Sequence, residues 1–177
     1  MLLRLQQCGL EYLDDLLHIS KKTFVDAFEK DNAPDDFKTY INDAFDRDKI
    51  ERELRDIDSD FYFAFVDDVL AGYFKLNQNG AQTDIRHAES IELERLYVLD
   101  TFQGKKIGQW MLDEIKKIAT VKGKQFLWLG VWEKNTDAIK FYQRHDFTKF
   151  GTHPYYIGKD EQTDWLMRFD LSNFNGK

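Results

Sequence analysis

The chain has 177 residues, 42% of them hydrophobic and 32% charged, and Phe alone fills 15 positions. That is enough apolar material for one core and too much for a disordered chain, so a single domain over residues 1–177 is expected. The formal charge of −7 repels nucleic-acid phosphates and anionic lipid but not a small cation, so neither nucleic acid nor membrane is expected as a partner.

Cys8 is the only cysteine, so the sequence holds no pair for an intrachain disulfide, consistent with a reducing compartment. Met1 to Leu10 has no long apolar run and does not read as a signal peptide. No stretch is long and apolar enough to span a bilayer, and a cytoplasmic location is expected. His18, His87, His145 and His153 form no metal-ligand spacing, and no metal is expected.

In chain order, residues 1–7 read as a strand. Leu10, Leu13, Leu17, Phe24 and Phe28 then recur at helical spacing. A second helix follows Pro34, a residue suited to a first turn, with Phe37, Tyr40, Ile41, Ala44 and Phe45 on its apolar face. A short helical piece carries Ile50, Leu54 and Ile57. Residues 61–66 are aromatic-rich and read as a strand, turning at Asp67-Asp68 into a second strand over 69–76. Residues 77–90 are polar and read as a loop before a strand over 91–99.

A helix follows Gly104, with Ile107, Met111, Leu112, Ile115 and Ala119 on one face, and Gly123-Lys124 ends it. Residues 126–131 are continuously apolar, as in a strand covered on both sides. Asn135 opens a helix with Ala138, Ile139 and Tyr142. Short strands near 147–150 and 165–171 are expected to close the chain as a hairpin. The order predicts an α/β layered domain with a mixed sheet.

The chemistry concentrates in two strand-to-helix junctions. Residues 94–108 run from a strand through a turn with Gln103, Gly104, Lys105, Lys106 and Gly108 into a helix start. Free N–H groups and the helix dipole converge there, which suits a pyrophosphate. An ordinary helix entry would look similar taken alone. Downstream, residues 130–142 repeat the junction, with Asn135, Ala138, Phe141 and Tyr142 on the helix.

Strand, Gln-x-x-x-x-Gly, helix, then strand-Asn-x-x-Ala-x-x-Phe-Tyr resembles the GNAT superfamily of acetyl-coenzyme A-dependent N-acetyltransferases. Within it, Thr23-Phe24, Ala71-Gly72-Tyr73, residues 128–135 and Glu161-Gln162-Thr163-Asp164 are similar to PaiA-type spermidine/spermine N-acetyltransferases of Gram-positive bacteria. The resemblance implies a mixed, mostly antiparallel sheet flanked by helices, with acetyl-coenzyme A as cosubstrate. It also implies a small cationic amine as acceptor, most closely a polyamine. A peptide or lysine amine, another small amine, or a coenzyme A-binding regulatory module with little turnover are the rival readings. Superfamily members often form dimers, so a homodimer is among the assemblies the resemblance allows.

Carried over by motif, Leu96, Tyr97 and Val98 pair with the pantetheine arm, and a backbone N–H near Tyr97 or Val98 meets the oxyanion. Gln103, Gly104, Lys105, Lys106, Ile107, Gly108 and Gln109 cradle the pyrophosphate. Lys106 stands where the family pattern has a glycine, and the cradle is expected to survive provided φ there is negative. Asn135 matches a cofactor-arm contact and also suits a helix N-cap. Tyr142 matches the acid that protonates the leaving thiolate, although by spacing alone it is a half-buried helix aromatic.

The acceptor must lose a proton before it attacks. Glu92 and Glu94 alternate onto one strand face, and Glu92 aligns with a carboxylate that some members use as base. Either can instead bind the cationic acceptor or merely pair with Arg95. Phe24, Phe28 and Tyr73 are expected as apolar pocket walls. Glu29 is expected to attract the amine, with Asp26, Asp31, Asp35 and Asp36 as further acids near it.

Overall fold

The computed structural model describes residues 1–176. Its elements are β1 (Leu3–Gln7), α1 (Leu13–Phe28), α2 (Pro34–Ala44), α3 (Arg47–Arg55), β2 (Ser59–Val66), β3 (Val69–Asn77) and β4 (Ser90–Val98). They continue with α4 (Ile107–Val121), β5 (Phe126–Trp132), α5 (Thr136–Arg144), β6 (Thr148–Ile157) and β7 (Asp160–Asp170). One seven-stranded sheet has the order β1-β2-β3-β4-β5-β7-β6. Every pairing in it is antiparallel except β4 with β5.

Local chemistry sets the elements. Asp67 and Asp68 take φ of 47° and 64°, the left-handed pair that a two-residue hairpin turn requires and that Asp tolerates. Asp46 caps α3 by accepting from the Lys49 amide at 3.0 Å, and Arg52 and Arg55 complement its last turn. The apolar stripe of α4, from Ile107 to Ala119, is fully buried against one sheet face together with Phe74, Leu76, Ile91 and Leu93. On the other face α1 and α3 close over Phe61, Phe63 and Tyr73. There α1 and α2 also bury Phe24, Phe37 and Phe45 beside Ile157.

Two stretches differ from the sequence reading. Ile57, expected on a helix face, is 88% exposed, because α3 stops at Arg55 and the chain turns at Asp56 toward β2. The closing hairpin is far longer than expected, spanning 148–157 and 160–170. β6 is the last strand of the sheet, so it needs no continuous apolar run, and a sheet edge tolerates Pro154.

Two irregularities shape the middle of the sheet. β4 and β5 pair only from Ser90–Phe126 to Glu92–Trp128, and beyond that point the two parallel strands splay. The register of β4 on β3 also slips, with Leu76 opposite Leu93 but Lys75 opposite Arg95. Glu94 is the extra residue of this bulge. Glu94 and Arg95 therefore both face the α1–α3 side, while Leu93 and Leu96 both face α4.

Candidate active site

A cleft opens where β4 and β5 part. Its middle is lined by Leu93 to Tyr97 on one side and by Gly130, Val131, Trp132, Asn135 and Tyr142 on the other. Past Glu92 the β4 edge that faces β5 has no strand partner, so its backbone groups are available to an extended ligand. The cleft runs on past Thr23, Phe28, Val98 and Gln103. It ends in a hollow between the turn into α4 and residues Phe141, Arg144 and His145 of α5 and its end.

The turn is organised from within. The Gln103 side-chain amide donates to the Val98 carbonyl at 3.0 Å and to Asp100 at 3.1 Å. The Lys105 ammonium reaches the Thr101 carbonyl at 3.1 Å and lies over the Phe102 ring. Gly104 has φ of 75°, where a glycine carries no steric cost. The negative φ set as a condition at Lys106 is not met: Lys106 is the residue before α4 and adopts φ of 61°. No side chain caps α4, and its first helical bond runs from the Trp110 amide to the Lys106 carbonyl. The amides of Ile107, Gly108 and Gln109 thus point out of the helix end as an anion site.

Asn135 and Tyr142 enter the cleft from α5. Asn135 is the N-cap, its Oδ1 accepting from the Ala138 amide at 3.2 Å, and it lines the cleft as well. Tyr142 packs edge-on against Phe141 and Phe147. Burial raises its phenol above the ordinary value, so it stays protonated over the working pH range and can donate.

The carboxylates of β4 sit in a buried polar network. Glu92 is 3% exposed. It accepts from Asn77 at 3.1 Å, from the Thr83 amide at 2.8 Å and from the Thr83 hydroxyl at 2.5 Å. Burial and then the neighbouring Glu94 charge raise its pKa, against the pull of those hydrogen bonds. Glu94 takes the other proton of the Asn77 amide at 2.7 Å and pairs with the Lys75 ammonium at 2.5 Å. Burial opposes its charge, but Lys75 and Arg95 outweigh burial and hold it at about 2. Lys75 is also paired with Glu53 at 2.9 Å.

Below this network lies a second chamber, joined to the cleft at Phe24, Glu94, Arg95, Gly130 and Asp164. Asp84 of the 78–89 segment pairs with His153 of β6 at 3.1 Å across it. Trp128, Phe45, Tyr40 and Tyr155 supply aromatic walls, and the last two hydroxyls hydrogen-bond to each other.

The expected pocket residues divide. Phe24 and Phe28 line the cleft and Asp26 lines its continuation. Tyr73 does not wall a pocket: it is 0% exposed, stacked under Tyr97 with ring centroids 5.9 Å apart. Glu29 begins a 3-10 turn at the end of α1; it is exposed and, although it follows Phe28, does not itself line either chamber. Asp36 is occupied by the Lys159 amide at 3.1 Å. Asp84, Trp128, His153 and Asp164, all missed as site residues, line the second chamber. A strand reading that extended through 151–164 would have put His153 and Asp164 opposite each other.

The sheet is mixed and split between its two parallel strands, with an open helix end at one side of the cleft and an acidic chamber at the other. The Acetyltransferase (GNAT) family profile matches residues 13–147. The chain belongs to this family and is an acetyl-coenzyme A-dependent N-acetyltransferase. It is 34% identical over 165 residues to an uncharacterized N-acetyltransferase of Lactobacillus delbrueckii subsp. lactis, covering 93% of this chain and 95% of that one. It is 24% identical to a spermidine N(1)-acetyltransferase of Thermoplasma acidophilum, covering 83% and 89%. Among solved structures, the PaiA N-acetyltransferase of Thermoplasma acidophilum in complex with coenzyme A matches with a TM-score of 0.76 at 22% identity, covering 96% and 99%.

Proposed function

We propose that the acceptor is a polyamine of the spermidine or spermine type, acetylated by direct attack in a ternary complex. The composition of the second chamber carries this reading. Asp84, Glu92, Glu94 and Asp164 face it against the Arg95 guanidinium, and the walls between them are aromatic. Carboxylates separated by apolar surface match a chain of ammonium groups separated by methylenes. The name of the Thermoplasma relative points the same way.

On this reading acetyl-coenzyme A lies along the cleft and supplies the activated acetyl group. The amides of residues 107–109 and the turn from Gln103 hold its pyrophosphate, and the open edge of β4 from Leu96 to Val98 holds its pantetheine arm. Asn135 caps α5 with its carbonyl and keeps its side-chain N–H groups for that arm. A backbone N–H at Tyr97 or Val98 meets the oxyanion, and Tyr142 protonates the departing sulfur. Glu92 and Glu94 supply negative potential to the chamber rather than remove the acceptor's proton: the first already accepts three hydrogen bonds and the second, held at about 2, is a weak base.

Thiol release from acetyl-coenzyme A tests the reading on a panel of spermidine, spermine, a lysine peptide and an aminoglycoside. Turnover confined to the polyamines supports it. Turnover with another amine alone retains the chemistry and rejects the polyamine. Binding of coenzyme A with no turnover on any amine makes the chain a coenzyme A-binding module.

A further inference from the structure

We propose that Asp164 is the base that takes the proton from the acceptor ammonium, a role that rests on the acetyl-transfer reading above. Asp164 lines both the cleft that holds Tyr142 and the chamber that holds Glu92 and Glu94. It therefore sits at the junction an acceptor nitrogen must pass to reach the thioester. It projects from β7 over Gly130 of β5, where an added Cβ would lie 3.3 Å from its Oδ2. The missing side chain at 130 leaves the carboxylate open toward the unpaired edge of β4.

The neighbouring charges are already spoken for. Glu92 is satisfied by Asn77 and Thr83, Glu94 by Lys75 and Arg95, and Asp84 by His153. Among the described residues no hydrogen bond holds Asp164, and the one charge acting on it is that of His153. The other titratable groups around the two chambers are the phenols of Tyr40, Tyr97, Tyr142 and Tyr155. All four are raised above their ordinary value by burial and are neutral at working pH. Burial lifts Asp164 from 3.8 to about 6, with His153 pulling the other way. At neutral pH Asp164 is thus ionised and is a stronger base than an ordinary aspartate.

The protons balance. Asp164 takes one from the ammonium and passes it to solvent. The freed nitrogen pair forms the C–N bond to the acetyl carbonyl carbon, the C–S bond breaks, and its electron pair leaves on sulfur. Tyr142 gives the sulfur its proton, and the second proton of the nitrogen restores the Tyr142 phenol through solvent. The net result is an acetamide, a thiol and one proton released.

The test is the pH dependence of kcat/KM for wild type, Asp164→Asn and Glu92→Gln, with coenzyme A affinity measured by calorimetry on each. Wild type is expected to rise tenfold per pH unit up to about 6 and then level. Asp164→Asn is expected to lose that limb and to fall roughly 10²–10⁴-fold on the plateau, with coenzyme A affinity within about twofold. Glu92→Gln keeps the limb. Thermal unfolding gives a second readout. A carboxyl raised by folding binds its proton more tightly in the native state, so its contribution to stability falls as pH rises through about 4 to 6. Asp164→Asn should then melt higher than wild type at pH 8 and not at pH 4. An Asp164→Asn enzyme that retains limb and rate, or that loses coenzyme A binding together with rate, overturns the proposal. A wild type inactive on every amine overturns the acetyl-transfer reading and this role with it, whereas an active wild type with an unchanged variant overturns this role alone.

Discussion

The two ends of the cleft are built from different materials. At the turn into α4 the groups facing the opening are backbone amides of residues 107–109, gathered by one helix end. At the other end, the proposed acceptor end, they are side chains from β4, β6, β7 and the segment before β4. A backbone-made site tolerates a change of side chain, because the amides of residues 107–109 are placed by the helix end whatever side chain position 106 carries. A side-chain-made site depends on identity at each position: Glu92, Glu94 and Asp84 each have their own partners, whereas Asp164 has no hydrogen bond among the described residues. Family members can therefore share the first end and differ at the second.

The largest expected effect lies where the two ends meet. Tyr142→Phe removes the proton donor while keeping the ring packed on Phe147. Turnover should fall roughly 10²–10⁴-fold and coenzyme A affinity should hold. Equal losses in both would make Tyr142 a packing residue. At the acceptor end, Glu94→Gln leaves Lys75 and Arg95 short of their shared anion. The cost should be on the order of 2–3 kcal/mol in urea unfolding at pH 7, with a raised acceptor KM. The sign of its pH dependence follows from a carboxyl held at about 2, below its ordinary 4.5. The stability it confers is complete above about 4.5 and is lost as pH falls toward 2. Wild type should thus lose more of its urea midpoint between pH 7 and pH 3 than Glu94→Gln does. An identical acid loss in the two would remove Glu94 from the account.

The smallest effect is expected at the backbone-made end. Lys106→Gly relieves a left-handed backbone, worth roughly 1–2 kcal/mol, part of which the extra freedom of glycine in the unfolded chain cancels. Coenzyme A affinity should change less than twofold, because the amides already have their geometry. A tenfold gain in affinity would mean that the lysine distorts the cradle.

Much of the architecture was legible because it rests on local signals. The stripe from Ile107 to Ala119, the Asp67-Asp68 turn and the Asn135 cap each declare themselves within a few residues. The junction motifs at 103–108 and 135–142 do so as well, and the structure places both along the cleft. The acceptor end was less legible for two physical reasons. Strict alternation along β4 puts Glu92 and Glu94 on one face and Arg95 on the other. The bulge turns Arg95 to the same face, and an extra residue in one strand is defined only by its partner. In the closing hairpin β6 is an edge strand, and the residues on either side of its turn, from 151 to 164, are mostly polar, small or aromatic with no long aliphatic run. His153, Pro154 and Tyr155 therefore did not read as strand, and Asp164 had no face assigned to it. Tyr73 was misplaced for a related reason, since nothing in its neighbours says that Tyr97 lies on top of it.

The parting of β4 from β5 also has a thermodynamic consequence. A sheet that stops pairing after Glu92–Trp128 leaves a ladder one strand short, and a ligand laid along that edge completes it. Such a ligand binds the native chain and not the unfolded one, so its concentration adds to folding free energy, about 2.7 kcal/mol at a hundred times its dissociation constant. The enzyme's persistence would then follow the supply of its own acetyl donor, with a depleted pool leaving a chain that opens more often at its centre.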